Sequence, residues 1–507
     1  MRRRPALLAA LLSLGLVLTG CTKTPERTTP RPDSTNSAGL TWSDCRDDAE
    51  AIADKYGINI PSSINFDCAT IKVPQDWNDA NNGKTFDIAL MRAVKGSPDG
   101  KLSVVTNPGG PGGSGLDFLP TFVPDLTTLW DKFAIVSFDP RGVGKSSNVK
   151  CMSDEDLDAS FGFDPDPVSQ ATYDANVALA RKMADGCGQK FGEDLRLYNT
   201  EQTARDMDAV RAALGDEKLT YLGFSYGTLL GAVYAQLFPT KVREMVLDGA
   251  VDATQTAVQA SEGQAMGFER AMTNFTEWCK TNTRQCPIAA DPRGAITAAI
   301  DSARTTPVKN RAGRAATSGW VMWGVVFTMY SKDNWKYLGP AIDNLKKGDP
   351  ELIFALADSY ADRDENGHYN AMFDANNAVN CADANYPTAD EIRGLQSQWR
   401  AKYPMFGAPL ATGMLTCAVW PAKKDPYPAG KADGAPPIIV VGTTGDPATP
   451  YESTMKLADM LGVGQVLTWE GDKHTAYPDT TCIRRAVDNY LIDLTVPQKG
   501  LRCPATS

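Results

Sequence analysis

The sequence predicts an α/β protein: a mostly parallel sheet covered by helices on both faces, with a helical cap inserted into it. Three observations carry that expectation. Short apolar runs at 86–90, 102–106, 133–138, 219–223, 242–247, 437–442 and 465–469 are separated mostly by segments of helical length. Between 200 and 214, Ala204, Met207, Val210, Ala213 and Leu214 recur at helical spacing. From about 254 to 421 the strand rhythm stops, and Ala-rich, aromatic-rich stretches such as Trp320-Val321-Met322-Trp323-Gly324-Val325-Val326-Phe327 take over.

These patterns divide the chain into a leader at 1–20, a tether at 21–40, a first part of the sheet domain at 41–253, a helical cap at 254–421 and a second part of the sheet domain at 422–507. In the leader, Arg2, Arg3 and Arg4 precede an apolar run over 7–18, too short to span a bilayer as a stable helix. Leu18-Thr19-Gly20-Cys21 resembles a bacterial lipobox, in which Cys21 would be acylated after cleavage. Residues 22–39 are Thr, Pro, Ser, Arg and Asn with almost nothing apolar, a composition that cannot repay ordering entropy. The expected location is therefore outside the cytoplasmic membrane, anchored by lipid at the N-terminus or released.

Cysteine parity fits export. Eleven Cys minus Cys21 leaves an even number, and sequence order pairs neighbours: Cys45 with Cys68, Cys151 with Cys187, Cys279 with Cys286, Cys381 with Cys417, and Cys482 with Cys503. No paired CxxC spacing suggests zinc. A hydrophobic share of 42%, 22% charged residues and a net charge of −10 describe a packed globular protein without a basic footprint for nucleic acid.

The chemistry is read from five segments. Gly223-Phe224-Ser225-Tyr226-Gly227 matches G-x-S-x-G, and it directly follows an apolar strand and precedes a helical run over 228–238. That setting matters because a tight strand-to-helix turn lifts the serine Oγ above the sheet, where it can act as a nucleophile. A serine hydroxyl needs a base, and the chain offers two histidines. His474 sits in a loop just after the last apolar strand; His368 lies among polar residues of the cap and reads as a solvated surface group. Asp446, immediately after the strand at 437–442, is placed to orient His474, although Asp-Pro is also a common turn. The chain order Ser225, Asp446, His474 differs from the two well-known serine-protease orders.

A tetrahedral intermediate also needs N–H donors. Asn107-Pro108-Gly109-Gly110-Pro111-Gly112-Gly113 follows a strand and lacks the Lys-Ser/Thr ending of a phosphate-binding loop, so Gly110 and Tyr226 are assigned as oxyanion donors. Asp139-Pro140-Arg141-Gly142-Val143-Gly144-Lys145-Ser146 reads as a loop braced by an Asp139–Arg141 pair.

Together these motifs resemble the prolyl iminopeptidase and tripeptidyl aminopeptidase branch of the α/β-hydrolases, with a tripeptidyl-aminopeptidase-like C-terminal region. The resemblance rests on Pro108-Gly109-Gly110-Pro111-Gly112, the Asp139 to Ser146 loop, Gly223 to Thr228, Asp446 and His474, and covers nearly the whole mature chain. In prolyl iminopeptidases the first loop begins His-Gly-Gly-Pro-Gly; here Pro108 holds the His position, which points to the exported tripeptidyl branch. The implied activity is release of short peptides from free N-termini through an acyl-enzyme, with no metal or organic cofactor. Such an enzyme must recognise an ammonium, and Asp252, Glu262, Glu269 and Asp383 are the carboxylates considered, against their ordinary reading as solvated surface groups. The same triad would equally serve an esterase or lipase acting on envelope lipids, and a lipid-anchored binding protein without turnover is the rival outside enzymes.

Overall fold

The computed structural model describes residues 34–36 and 38–506; the leader, Cys21 and most of the tether lie outside the described residues. The strands, in chain order, are β1 (Ser34–Thr35), β2 (Thr41–Asp44), β3 (Ile64–Pro74), β4 (Thr85–Lys95), β5 (Leu102–Asn107), β6 (Phe133–Phe138), β7 (Leu219–Phe224), β8 (Val242–Asp248), β9 (Val308–Lys309), β10 (Ala315–Ala316), β11 (Ile438–Thr443), β12 (Gly464–Trp469) and β13 (Arg502–Cys503). Eleven of them form one sheet in the order β1-β2-β3-β4-β6-β5-β7-β8-β11-β12-β13. From β6 to β13 every neighbouring pair is parallel, while β1 to β4 and the β4–β6 pair are antiparallel.

The reason these runs are strands is visible in β11, where Ile438 and Val440 enter the core on one face and Ile439 and Val441 the core on the other. A strand buried on both faces needs no polar alternation, and its branched side chains fill both layers. All six residues of β6, β7 and β11 are buried. All seven apolar runs named above lie within strands, apart from Pro437, which immediately precedes β11. β3 was not expected: its sequence Ile-Asn-Phe-Asp-Cys-Ala breaks the apolar pattern because Asp67 forms a buried ion pair with Arg92 of β4 at 2.8 Å.

The helix at 200–214 is present as Thr200–Leu214, opened by the Asn199 side chain, which accepts the Gln202 N–H. Between β8 and β11 the chain is helical from Ala257–Thr281 to Leu415–Ala418, interrupted by the β9–β10 hairpin, and this is the cap. Two further helices, Asp154–Gly162 and Gln170–Phe191, leave the sheet domain earlier and join the cap. Acidic residues of the first helix and of the loop between the two meet its basic ones: Asp158 with Arg363, Asp164 with Arg304, and Asp166 with Arg400.

All five neighbouring cysteine pairs are disulfide-bonded: Cys45–Cys68, Cys151–Cys187, Cys279–Cys286, Cys381–Cys417 and Cys482–Cys503. The expected Asp139–Arg141 brace takes a different form. Fully buried Arg141 makes a bidentate pair with Asp206 at 2.7 Å for both bonds, and Asp139 instead accepts from Ser114 Oγ, Leu116 N and Lys145 N. Both residues brace, but separately. The planar guanidinium fork is matched by the two oxygens of Asp206.

Candidate active site

The end of β7 turns straight into the helix Tyr226–Leu237, and Ser225 at the corner has φ 55°, a region that side chains larger than glycine avoid. The strain is held by hydrogen bonds on both sides: Ser225 N donates to Asp248 O at 2.9 Å, and Thr228 N and Thr228 Oγ1 donate to Ser225 O at 2.8 and 2.6 Å. The side chain is thereby lifted over the C-terminal edge of the parallel strands, where open α/β sheets place their ligands.

Directly beside this corner runs the glycine loop. A Cβ at Gly109 would sit 2.5 Å from Phe224 O and 3.1 Å from Tyr226 N, so the close approach of the two turns excludes any other residue there. The amides of Gly110 and Tyr226 donate to no protein acceptor among the described residues. Tyr226 N opens a helix, which adds the positive end of its dipole to the site.

His474 lies on the loop after β12, 13% exposed at the side chain, with Nδ1 at 3.0 Å from both oxygens of fully buried Asp446. Asp446 also accepts from Ala448 N, Thr449 N and Thr449 Oγ1, each at 2.9 Å. The Asp-Pro turn and the contact with His474 therefore coexist in one residue. With Nδ1–H given to the carboxylate, Nε2 is left as the basic nitrogen. Burial pulls the imidazole pKa down, but the charge of Asp446 and its hydrogen bond outweigh it, and the net direction is above 6.5.

Ser225 and His474 both lie against the end of β8, where Asp248 O accepts the Ser225 N–H at 2.9 Å. Gly249, which follows Asp248, lies against the imidazole: a Cβ there would be 3.2 Å from His474 Cε1. The Ser225 hydroxyl itself has no hydrogen-bond partner among the described residues.

Three contacts at this site were not read from the sequence. Asp248, buried at the end of β8, accepts the N–H groups of Ala476 and Tyr477 at 2.7 to 3.0 Å, and burial lifts its carboxyl to about 7 despite those bonds. Thr449 Oγ1 lies 2.9 Å from Asp446 and 3.3 Å from His474 Nδ1, and its spacing three residues after Asp446 was a local signal. Tyr330 of the cap accepts the His474 N–H on its carbonyl at 2.8 Å and sets its ring edge-on to the imidazole at 5.4 Å.

Of the four carboxylates considered for an ammonium, Glu262 is paired with Lys402, and Glu269 with Arg293. Asp252 and Asp383 are buried and meet no cation among the described residues. Asp383 accepts from Thr200 N and Thr200 Oγ1, and burial lifts it to about 7. His368 is exposed, with Nδ1 at 2.9 Å from Asp154.

The TAP-like protein family matches residues 403–503, the stretch that holds Asp446 and His474. Serine protease Hip1 of Mycobacterium tuberculosis is 34% identical over 516 aligned residues, covering 98% of this chain and 96% of its own. The chain belongs to the tripeptidyl-aminopeptidase-like family of α/β-hydrolases. Within that family, Tripeptidyl aminopeptidase of Streptomyces lividans is 31% identical over 495 residues, with 92% of this chain and 87% of its own covered. Carboxylesterase B of Mycobacterium tuberculosis is 36% identical over 535 residues, with 99% of each covered. This α/β-hydrolase is accordingly a serine hydrolase, and its relatives carry both peptidase and esterase names.

Proposed function

We propose that the chain is an exported serine peptidase that releases short peptides, tripeptides among them, from free amino termini. The observation that carries this reading is His474 Nδ1 at 3.0 Å from buried Asp446, on a loop set beside the strained Ser225 corner. His474 Nε2 takes the Ser225 proton, and Oγ attacks the peptide carbonyl. The resulting oxyanion accepts from the Gly110 and Tyr226 amides. His474 then gives its proton to the leaving amine, which departs and leaves an acyl-enzyme on Ser225. Water activated by His474 hydrolyses that ester and regenerates the hydroxyl. Each step moves one proton through the imidazole, and no metal or organic cofactor enters.

Amino-terminal preference is supported by the name of the Streptomyces relative and by two buried carboxylates, Asp252 and Asp383, with no cationic partner among the described residues. A low-dielectric carboxylate is the natural counter-charge for a substrate ammonium. Export rests on the Arg-rich, apolar leader and the Leu18 to Cys21 sequence, with acylated Cys21 as the anchor.

The second reading, an esterase, is favoured by the Carboxylesterase B relative. One experiment separates them: matched free and N-acetylated peptides, and p-nitrophenyl esters, are incubated with the enzyme and the products weighed by mass spectrometry. Release of two- to four-residue fragments from the free peptides alone supports the peptidase; equal cleavage of both peptide forms, or turnover of esters alone, rejects it. Palmitate incorporation that disappears in Cys21→Ser tests the anchor.

A further inference from the structure

The glycine loop that supplies Gly110 is wedged between two bodies. One is the nucleophile corner, against which Gly109 is packed without room for a Cβ. The other is the cap helix Met372–Asp383: a Cβ at Gly112 would collide with Met372 O and lie 3.1 Å from Asn376 N. Between them, Asn376 Nδ2 donates to Pro111 O at 2.9 Å. Among the described residues this is the side-chain hydrogen bond that reaches 108–113 from the cap.

The amide of Asn376 is oriented, not merely near. Its Oδ1 accepts from Asn380 Nδ2 at 3.0 Å, one helical turn on, so the NH2 group faces the loop. The helix that carries it is tied down at both ends. Asp374 Oδ1 accepts the N–H groups of Cys151 and Met152 at 2.7 Å each, and Asp383 holds Thr200 N at 2.9 Å and Thr200 Oγ1 at 2.5 Å. Thr200 Oγ1 in turn lies 2.7 Å from Tyr226 OH. The same cap helix therefore bears on the residues of both oxyanion donors, on Gly110 through Pro111 and on Tyr226 through Thr200.

We propose that Asn376 is a positioning residue for the oxyanion hole: its side-chain amide, held by Asn380, fixes Pro111 and with it the Gly110 N–H at the height needed above Ser225. This inference rests on the serine-hydrolase mechanism given above. Donors stabilise a tetrahedral oxyanion only if they are in place before charge develops, and a displaced loop lowers kcat without weakening the bound ground state. Losing an oxyanion donor outright costs about a hundredfold to a thousandfold, so a donor left unsupported should cost about tenfold to a hundredfold.

The test uses the full chain and a p-nitrophenyl ester alongside a free peptide. Ser225→Ala must abolish turnover and fluorophosphonate labelling; if it does not, the mechanism fails and not the positioning role. With that control in hand, Asn376→Ala and the isosteric Asn376→Asp are expected to lower kcat about tenfold or more on both substrates with KM within about twofold. Asn376→Gln, which keeps an amide donor, recovers most of the rate. Asn377→Ala, whose side chain bonds only Phe373 O of its own helix, leaves kcat unchanged. Near-UV circular dichroism confirms that each variant is folded. An unchanged kcat in Asn376→Ala, a loss confined to KM, or a folded Asn376→Gln no better than Asn376→Asp would overturn the proposal.

Discussion

Asp248 joins the Ser225 corner to the His474 loop: its carbonyl accepts the Ser225 N–H at 2.9 Å, and its carboxylate accepts those of Ala476 and Tyr477, just after His474. One residue at the end of β8 thus ties the Ser225 corner to the loop that carries His474.

Replacing Asp248 by Asn leaves one acceptor oxygen where three N–H bonds now converge, and should cost about 1–3 kcal/mol of stability in urea unfolding. The cost depends on pH. With its folded pKa raised from 3.8 to about 7, Asp248 contributes stability that is full below about 4 and is lost as pH rises to about 7. The difference between wild type and Asp248→Asn should therefore be largest in acid and shrink toward neutrality; a difference that grows with pH refutes the assignment.

The base should report its own environment. Because Asp446 raises the imidazole pKa against the opposing effect of burial, kcat/KM should rise with pH through a midpoint above 6.5. Asp446→Asn should move that midpoint down and cut kcat by about 10⁴, by analogy with other triads that lose their carboxylate.

Labelling separates the two histidines. His474→Ala should abolish fluorophosphonate labelling, and His368→Ala should leave its rate intact. His368, raised above 6.5 by Asp154 and then Asp364, contributes to stability below its unfolded pKa and loses that contribution as pH climbs through the folded value. Melting curves of His368→Ala and wild type should differ in acid and converge in base.

Arg141→Ala should destabilise the sheet domain by about 3–5 kcal/mol, since it strands Asp206 as an uncompensated buried carboxylate. The double variant Arg141→Met with Asp206→Leu should recover part of that loss. Chemical denaturation of the three proteins checks both statements.

How much of this was legible follows from the range of each interaction. The strained corner announces itself because its strand, turn and helix are contiguous around Ser225. His474 stood out through scarcity, and Asp446 through its place after β11. What stayed hidden depends on residues far apart in the chain. Asn376 meets Pro111 across 265 residues and Asp248 meets Ala476 across 228, and neither partner carries a local sign of the other. Asp139 and Arg141 show the converse error, since two opposite charges in one short loop suggested a pair while the bidentate partner of Arg141 is Asp206, 65 residues on. β3 was missed because a buried ion pair breaks its apolar pattern.

From Cys45 onward the cysteines are bonded in successive pairs along the chain, across separations of 7 to 36 residues. A polypeptide threaded N-terminus first into an oxidising compartment could close each bridge as soon as its second thiol emerged, before the following pair arrived. Bridges closed in that order are the native set.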